Sequence, residues 1–123
     1  MTRASGLDLQ ELHHYAMSRP GTTDGYPFGP GALALKVHGK IFALIADDAE
    51  PLTISLKCEP EVATVLCDSH EAVQPGYHLN KRHWITVTVD SSVDHELLGW
   101  IDDSYDLVVD GLPRRVRDEL RGG

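Results

Sequence analysis

The sequence predicts an α+β fold, in which a twisted and mostly antiparallel β-sheet packs against helices in a single domain spanning residues 1–123. Short stretches in which apolar and polar residues alternate predict strands, and tight turns join several of them. Helical patterns interrupt this series in few places, so the long connections that parallel strands require are rare. With 123 residues, 41% of them hydrophobic, the chain has the size and composition of one globular domain.

The first predicted element is a helix. Asp8 followed by Glu11 is typical of a capping box, and the apolar residues after Asp8 recur at helical spacing. Pro20 and Gly21 end the helix, because proline and glycine interrupt helical hydrogen bonding. Residues 22–31 are rich in glycine and proline, and we interpret them as a short edge strand and a loop.

The next stretches predict the body of the sheet. Residues 32–37 and 41–45 form strands on either side of His38-Gly39, a tight turn with glycine where a positive φ is needed. Two later strands alternate apolar and polar positions. The predicted core positions are Leu52, Ile54, Leu56, Ile85, Val87 and Val89. The predicted outward positions are Thr53, Ser55, Lys57, Trp84, Thr86 and Thr88.

Three further helices follow from local signals. Pro60 suits the first turn of a helix. Residues 72–83 have no clear period, and we expect them to be irregular. Ser91 or Ser92 is expected to cap a long helix that Gly111 ends, and a short basic helix comes after it.

The charge distribution is uneven. The chain carries 19 acidic residues against 11 Lys and Arg, a net charge of −8 that counts against strong nucleic-acid binding. Residues 90–110 hold seven acidic side chains and no Lys or Arg, whereas residues 25–46 and 72–89 hold cations and no acid. Their cations are Lys36, Lys40, Lys81 and Arg82. We therefore expect an acidic side and at least one basic loop.

The two cysteines, Cys58 and Cys67, are nine residues apart on a predicted helix. That spacing corresponds to about 14 Å of helix, which is longer than a disulfide can bridge. Reduced thiols suit a cytoplasmic protein. No apolar stretch approaches the ~20 residues of a membrane span, and residues 1–6 lack the apolar core of a signal peptide, so we expect no membrane contact.

Residues 77–84 are the densest group of functional side chains in the sequence. They are Tyr77, His78, Leu79, Asn80, Lys81, Arg82, His83 and Trp84. Cationic side chains meet phosphates, an amide can read a base edge, and aromatic rings stack on bases. The alternatives are a loop whose aromatic rings only pack over the sheet, or a catalytic or metal-binding segment.

Other polar groups favour neither catalysis nor metal binding. His70, His78 and His83 have spacings of eight and five, outside the usual zinc patterns. Asp102 and Asp106 share a helical face, where paired carboxylates for acid–base chemistry or a divalent ion are an alternative to a solvated acidic surface. Acidic residues near a helix C-terminus are electrostatically unfavourable, which hints at a partner. We expect no catalytic residue, no metal and no cofactor.

Several segments resemble the MmcQ/YjbR family, small bacterial proteins with a fold similar to that of the frataxin homologue CyaY. They are Pro20-Gly21-Thr22 with Asp24 and Pro27-Phe28, Gly39-Lys40-Ile41-Phe42-Ala43, Leu56-Lys57-Cys58, the stretch from Pro75 to Trp84, and Ser104-Tyr105-Asp106-Leu107-Val108. Two positions depart from the usual family residues: Asp24 replaces Glu, and Leu79 replaces Met.

The resemblance implies a CyaY-like sheet with two projecting hairpin wings, a shape likened to a double-wing DNA-binding motif. It does not transfer the iron binding of CyaY, because that uses an acidic ridge on the first helix, where this chain offers only Asp8 and Glu11. We therefore predict a non-enzymatic, DNA-binding regulatory protein. The predicted contact residues are Lys36, Lys57, Tyr77, His78, Asn80, Lys81, Arg82, His83 and Trp84. The alternative is a module that binds a protein partner or an anionic ligand through the same surface.

Overall fold

A computed structural model of the chain describes residues 7–76 and 79–122. Its helices and strands are, in chain order, α1 (Leu9–Met17), β1 (Thr22–Gly25), β2 (Ala32–Val37), β3 (Lys40–Ala46), β4 (Thr53–Lys57), α2 (Pro60–Ser69), β5 (Val73–Pro75), β6 (Trp84–Thr88), α3 (Asp94–Asp110) and α4 (Arg114–Leu120). None of these helices combines the length and the apolar character that crossing a bilayer requires. The elements confirm the predicted α+β class.

The six described strands form one sheet in the order β1-β2-β3-β4-β6-β5, and every neighbouring pair is antiparallel. The predicted edge strand is β1. The other edge is β5, which lies within the segment expected to be irregular, so that expectation was wrong. This strand has only three residues and ends at Pro75, and an edge position tolerates a proline because the missing N–H faces away from the ladder.

The alternation predicted for β4 and β6 is confirmed. Ile54, Leu56, Ile85 and Val87 are all at most 1% exposed. They form the inner face of the sheet, on which α1, α2 and α3 pack. The two terminal positions, Leu52 and Val89, lie just outside the strands and are only half-buried.

Ser55 departs from the prediction, because it is 7% exposed although it lies on the opposite, outer face. It occupies a central strand, where it is paired with Leu44 on one side and Thr86 on the other. The Ser55 and Thr86 hydroxyls are hydrogen-bonded at 2.9 Å. A small side chain between two larger neighbours is shielded from solvent, and its hydroxyl is satisfied within the sheet.

The cap predicted for α1 is present, whereas the cap predicted for α3 is not. In α1 the Glu11 N–H donates to Asp8 Oδ1 at 2.8 Å and the Asp8 N–H donates to Glu11 Oε1 at 3.3 Å, which confirms the capping box. The long helix α3 has Val93 at its N-cap, with no side-chain cap. The Ser92 hydroxyl donates instead to Asp90 Oδ1 at 2.6 Å, so the predicted serine cap was wrong.

A β-bulge interrupts β3 at Phe42. The register passes from Leu35 opposite Ala43 to Lys36 opposite Ile41, which leaves Phe42 without a partner in β2. The Phe42 ring packs edge-on against Tyr105 of α3, with ring centroids 5.3 Å apart. The bulge thus directs a large side chain into the contact between the sheet and α3.

Both cysteine thiols are free, as predicted. Cys58 is buried at the end of β4, and Cys67 is half-buried on α2. Burial is the main cause that raises the pKa of each thiol above its ordinary value. A raised thiol pKa disfavours the nucleophilic thiolate, which gives no support to a catalytic role for either residue.

Candidate nucleic-acid interface

The described Lys and Arg side chains of the chain lie at one end of the sheet. Because neighbouring strands are antiparallel, β1, β3 and β6 begin at this end, and β2, β4 and β5 finish there. The C-terminal half of α3 reaches the same end, where Ser104 contacts Lys57. Helix α4 also lies there, since its Leu120 packs against Gly21, the residue before β1. We call this the basic end.

All ten described Lys and Arg residues lie at or next to the basic end. The eleventh, Arg3, is outside the described residues. Arg19 connects α1 to β1, and four arginines lie on α4 or directly after it. The other five are Lys36, Lys40, Lys57, Lys81 and Arg82.

The opposite end of the sheet is acidic. It holds the turns after β1, β3 and β6 and the first residues of α1 and α3. Its described acidic side chains include Asp8, Asp24, Asp47, Asp48, Glu50, Glu71, Asp90 and Asp94. The part of this end that the structure describes contains no Lys or Arg. The basic end also holds acids from α2, α3 and α4. The net charge of −8 therefore combines one end without described Lys or Arg and one end where cations and acids are mixed.

Lys57 and Trp84 are the two predicted site residues that the sheet holds together. They are register partners on β4 and β6, so both side chains belong to the outer face, and both are half-buried. They line a cleft of about 380 Å³ at the basic end, together with Leu107 and Val108 of α3. The cleft thus joins an aromatic ring and an ammonium group across one strand pair.

Ser104 fixes the backbone beneath this cleft. Its hydroxyl donates to the Phe42 carbonyl at 2.5 Å and accepts from the Lys57 N–H at 2.8 Å. Ser104 is fully buried. The hydroxyl therefore bridges β3 and β4 at the point where their ladder ends, next to the Ala43–Leu56 pair.

Lys40 lines the same cleft, and the predicted site did not include it. It is the exposed first residue of β3, directly after the turn formed by His38 and Gly39. Aligning the ends of the predicted antiparallel strands would have placed it beside Lys57. Among the described residues, neither lysine forms an ion pair. Lys57 also borders a cavity lined by carboxylates of α3, so the exposed Lys40 is the more available of the two to an anion.

The exposed turn before β6 carries four predicted site residues. Asn80 Oδ1 accepts from the Arg82 N–H at 2.9 Å, and the Asn80 carbonyl accepts from the His83 N–H at 3.2 Å. The Lys81 ammonium donates to the Gly76 carbonyl at 3.0 Å. The amide oxygen of Asn80 therefore shapes the turn, which leaves its NH₂ group as the donor available to a ligand.

Lys81 and Arg82 do not line the cleft of Lys57. They border a separate cavity of about 490 Å³ against α2, where Glu61 and Asp68 are also present. The sequence stretch around these cations has no acid, but the fold brings acids from α2 next to them. Their local positive potential is consequently weaker than the sequence indicated.

Two predicted residues, Tyr77 and His78, lie outside the described residues. Lys36 is half-buried on the outer face of β2, opposite Thr23 and Ile41. Since β3 separates β2 from β4, Lys36 is two strands from Lys57, or about 10 Å. It extends the basic surface along the sheet but does not line the cleft.

His70 and Asp102, two of the remaining candidates for catalysis or metal binding, have partners within the fold. No group of His, Cys, Asp and Glu in the described part of the chain could hold a metal ion. His70 packs against Trp100 at 5.3 Å between ring centroids. The Tyr15 hydroxyl donates to Asp102 Oδ2 at 2.7 Å, and this hydrogen bond is the main cause of the raised pKa of Tyr15. Arg19 pairs with the other Asp102 oxygen at 3.1 Å.

Comparison with known proteins assigns the chain to a family. Residues 17–107 match the family model YjbR. The chain belongs to the YjbR family. This confirms the resemblance drawn from the sequence segments.

Two relatives in Escherichia coli share nearly the whole length of this YjbR-family chain. The uncharacterized protein YbdF of strain O157:H7 is 36% identical over 122 residues, covering 95% of this chain and all of YbdF. The uncharacterized protein YjbR of strain K12 is 35% identical over 115 residues, covering 93% of this chain and 98% of that protein. Neither name states a function.

Two solved structures share the YjbR-family fold. The crystal structure of Deinococcus radiodurans protein DR2400, with the family domain DUF419, superposes with a TM-score of 0.85 at 37% identity, covering 92% of this chain and 87% of the other. A Pseudomonas syringae protein superposes with a TM-score of 0.71 at 26% identity, covering 82% of this chain and 98% of the other. The open antiparallel sheet with its helices is therefore the family architecture.

Proposed function

We propose that the chain binds duplex DNA through the basic end of its sheet, without catalysis. The observation that carries this proposal is the placement of all ten described Lys and Arg residues at that one end. Phosphate contacts supply most of the affinity of proteins that bind DNA irrespective of sequence. A surface that concentrates cations on one side of an acidic protein meets this requirement locally.

The cleft supports a contact to the DNA backbone. Lys40 and Lys57 provide two ammonium groups, and Trp84 provides an aromatic surface between the sheet and α3. Ammonium groups neutralise phosphates, and an aromatic ring packs against a sugar or a base. The turn with Lys81 and Arg82 precedes Trp84 directly and extends the contact toward α2.

Several cations at the basic end are already paired and contribute less. Arg19 is paired with Asp102, and Arg121 with Asp110 at 2.7 Å. Together with the overall charge of −8, these pairs favour weak binding that depends strongly on salt. We do not propose that the chain recognises a particular DNA base sequence, because the Asn80 carboxamide oxygen accepts a hydrogen bond within its own turn.

The test is a fluorescence-anisotropy titration of a short labelled duplex at about 50 mM and about 200 mM salt, a range over which phosphate contacts lose much of their affinity. We expect saturable binding at the lower concentration and a steep loss at the higher one. Polyglutamate of similar charge serves as competitor. No binding at the lower salt concentration would overturn the proposal. Displacement by polyglutamate at equal charge concentration would instead favour an acidic protein or another anionic ligand.

A further inference from the structure

A third cavity lies between α2 and α3, on the inner side of the sheet. Its volume is about 280 Å³, near the lower limit of small-molecule sites. Its apolar walls are Val62 and Leu66 from α2, Ile85 from β6, and Trp100 and Leu107 from α3. The inner residue Ile85 lines this cavity, and Lys57 borders both the cavity and the cleft of Lys40 and Trp84.

The polar groups of the cavity are mostly carboxylates. Asp103, Asp106 and Asp110 line it from α3, and Glu59 lines it from the residue before α2. Positions 103, 106 and 110 follow the helical period, so these side chains share one face of α3. Of the lining residues that the structure describes, Lys57 is the one Lys or Arg.

Two of these carboxylates have no compensating cation. Asp110 is paired with Arg121 at 2.7 Å, whereas Asp103 and Asp106 form no ion pair among the described residues. Burial, followed by the negative charges of Asp106 and Asp102, raises the pKa of Asp103. The aspartates are solvent-exposed and outnumber the one lysine of the lining, so the mouth of the cavity carries a net negative charge.

The position of these acids on α3 increases the imbalance. The C-terminal end of a helix carries partial negative charge from unpaired carbonyl groups, and basic side chains there are stabilising. The last turn of α3 has no basic residue of its own. Arg117 and Arg121 donate to the carbonyl and carboxylate of Asp110, whereas Asp106, one turn earlier, has no ion-pair partner among the described residues. A cation bound in the cavity would relieve this repulsion.

The apolar walls specify the rest of the ligand. A hydrated inorganic cation gains nothing from Val62, Leu66 or Leu107, whereas an apolar body does. Trp100 adds an aromatic ring that can lie beside an ammonium group, and its edge-on contact with His70 holds that ring in place. The walls and the carboxylates together select a molecule with a cationic head and a short apolar body.

We propose that the cavity between α2 and α3 binds an amphipathic organic cation, an amine of the arylalkyl class, with the ammonium group at Asp103 and Asp106 and the apolar body against Trp100 and Leu66. The proposal is independent of DNA binding, since a protein that fails to bind DNA can still hold an amine here. It concerns a ligand site and involves no chemical step.

The experiment is a titration of the ¹⁵N-labelled protein with 2-phenylethylamine, followed by amide chemical shifts. The neutral analogue 2-phenylethanol has the same apolar body and serves as the comparison ligand. We expect saturable shifts confined to α2, the end of β4 and the second half of α3. The alcohol should bind at least about tenfold more weakly, as expected for the loss of partly exposed charge contacts.

The variant D103N/D106N should bind 2-phenylethylamine about tenfold more weakly and abolish the preference over the alcohol. D118N/E119Q removes two negative charges from α4, outside the cavity lining, and should bind like the unmodified chain. Equal binding of amine and alcohol, shifts away from the cavity, or an equal loss in both variants would each overturn the proposal. The amide spectrum of each variant reports whether it is folded.

Discussion

The hydroxyl of Ser104 donates a hydrogen bond to the backbone carbonyl of Phe42 and joins α3 to the β-bulge of β3. The same oxygen accepts from the Lys57 N–H. One buried side chain therefore satisfies two backbone groups that lie just beyond the end of the β3–β4 ladder. It also holds the last residue of β4 at the cleft.

Replacing Ser104 with Ala should lower the free energy of unfolding by about 1–3 kcal/mol, because the Phe42 carbonyl and the Lys57 N–H would lose a buried partner. Urea denaturation measures this difference. Ser69→Ala is the matched control, since Ser69 is exposed at the last position of α2. A Ser104→Ala variant as stable as the control would show that water replaces the hydroxyl without cost.

Replacing Gly21 or Gly39 with alanine should lower the free energy of unfolding by different amounts. Both have a positive φ, +72° and +77°, but a Cβ on Gly21 would lie 2.5 Å from Leu120 Cδ2, whereas nothing lies within 4 Å of one on Gly39. Each change to Ala should cost about 1–2 kcal/mol for the left-handed backbone. Gly21→Ala should cost about 1 kcal/mol more, because it displaces Leu120.

A double-mutant cycle separates the two causes for Gly21. In a Leu120→Ala background, the extra cost of Gly21→Ala over Gly39→Ala should disappear, since the obstructing side chain is gone. Thermal or urea unfolding of the six proteins supplies the data. An extra cost that persists in that background would locate the strain elsewhere than at α4.

The raised pKa of Asp103 predicts a pH-dependent effect on stability. Its folded carboxyl binds a proton more tightly than the unfolded one, chiefly because of burial. Ionisation therefore costs stability, and this cost is absent below the ordinary Asp pKa of about 4 and fully present above the folded pKa. Asp103→Asn should stabilise the chain at pH 7 by roughly 0.2–0.5 kcal/mol, the size of a like-charge pair on a helix.

Denaturation at pH 7 and pH 3 shows whether Asp103→Asn raises the free energy of unfolding only at the higher pH. The Asp103→Asn variant and the unmodified chain should be equally stable at the lower pH. The control Asp118→Asn removes an exposed carboxylate that lies 3.9 Å from Arg114, and it should not increase stability at either pH. A stabilisation by Asp103→Asn that is larger at pH 3 would contradict the assigned direction.

The DNA proposal makes a quantitative prediction for the cleft. Lys40→Ala/Lys57→Ala should reduce the slope of log affinity against log salt by about 2, or about 0.9 for each phosphate contact. Lys81→Ala/Arg82→Ala should reduce it by a similar amount, because both pairs have acidic neighbours: α2 supplies them here, and α3 supplies them beside Lys57. Arg114→Ala/Arg121→Ala alters the net charge equally but removes cations already paired with carboxylates, so the slope should barely change. Equal slopes for all three pairs would mean that only net charge matters.

Much of the sheet could be predicted because its strands alternate strictly. Ile54 and Val87 show how a period of two places side chains on the correct face without any tertiary information. The strand β5 could not be found this way, since three residues ending in Pro75 carry too little pattern. The bulge at Phe42 could not be predicted either, because it depends on how β3 pairs with β2 and the sequence around Phe42 does not show that pairing.

The candidate site was predictable only in part. Local sequence marked the turn before Trp84, but a stretch without acids along the chain does not stay without acids in space, as Glu61 beside Arg82 shows. Lys40 was overlooked for the converse reason: it is isolated in sequence and reaches Lys57 only through the strand order. The acidic cavity depends on the placement of α2 and α3 on either side of Ile85, a tertiary arrangement that no local pattern reports.

The separation of charge along the strands has a consequence for how fast the chain meets a polyanion. A uniformly charged protein of net charge −8 would be repelled, and added salt would speed its association by screening that repulsion. A molecule with one positive end is turned by the field so that this end leads, and salt then removes the attraction and slows the encounter. Stopped-flow association rates with duplex DNA should therefore fall as ionic strength rises, opposite in sign to the dependence that the net charge implies.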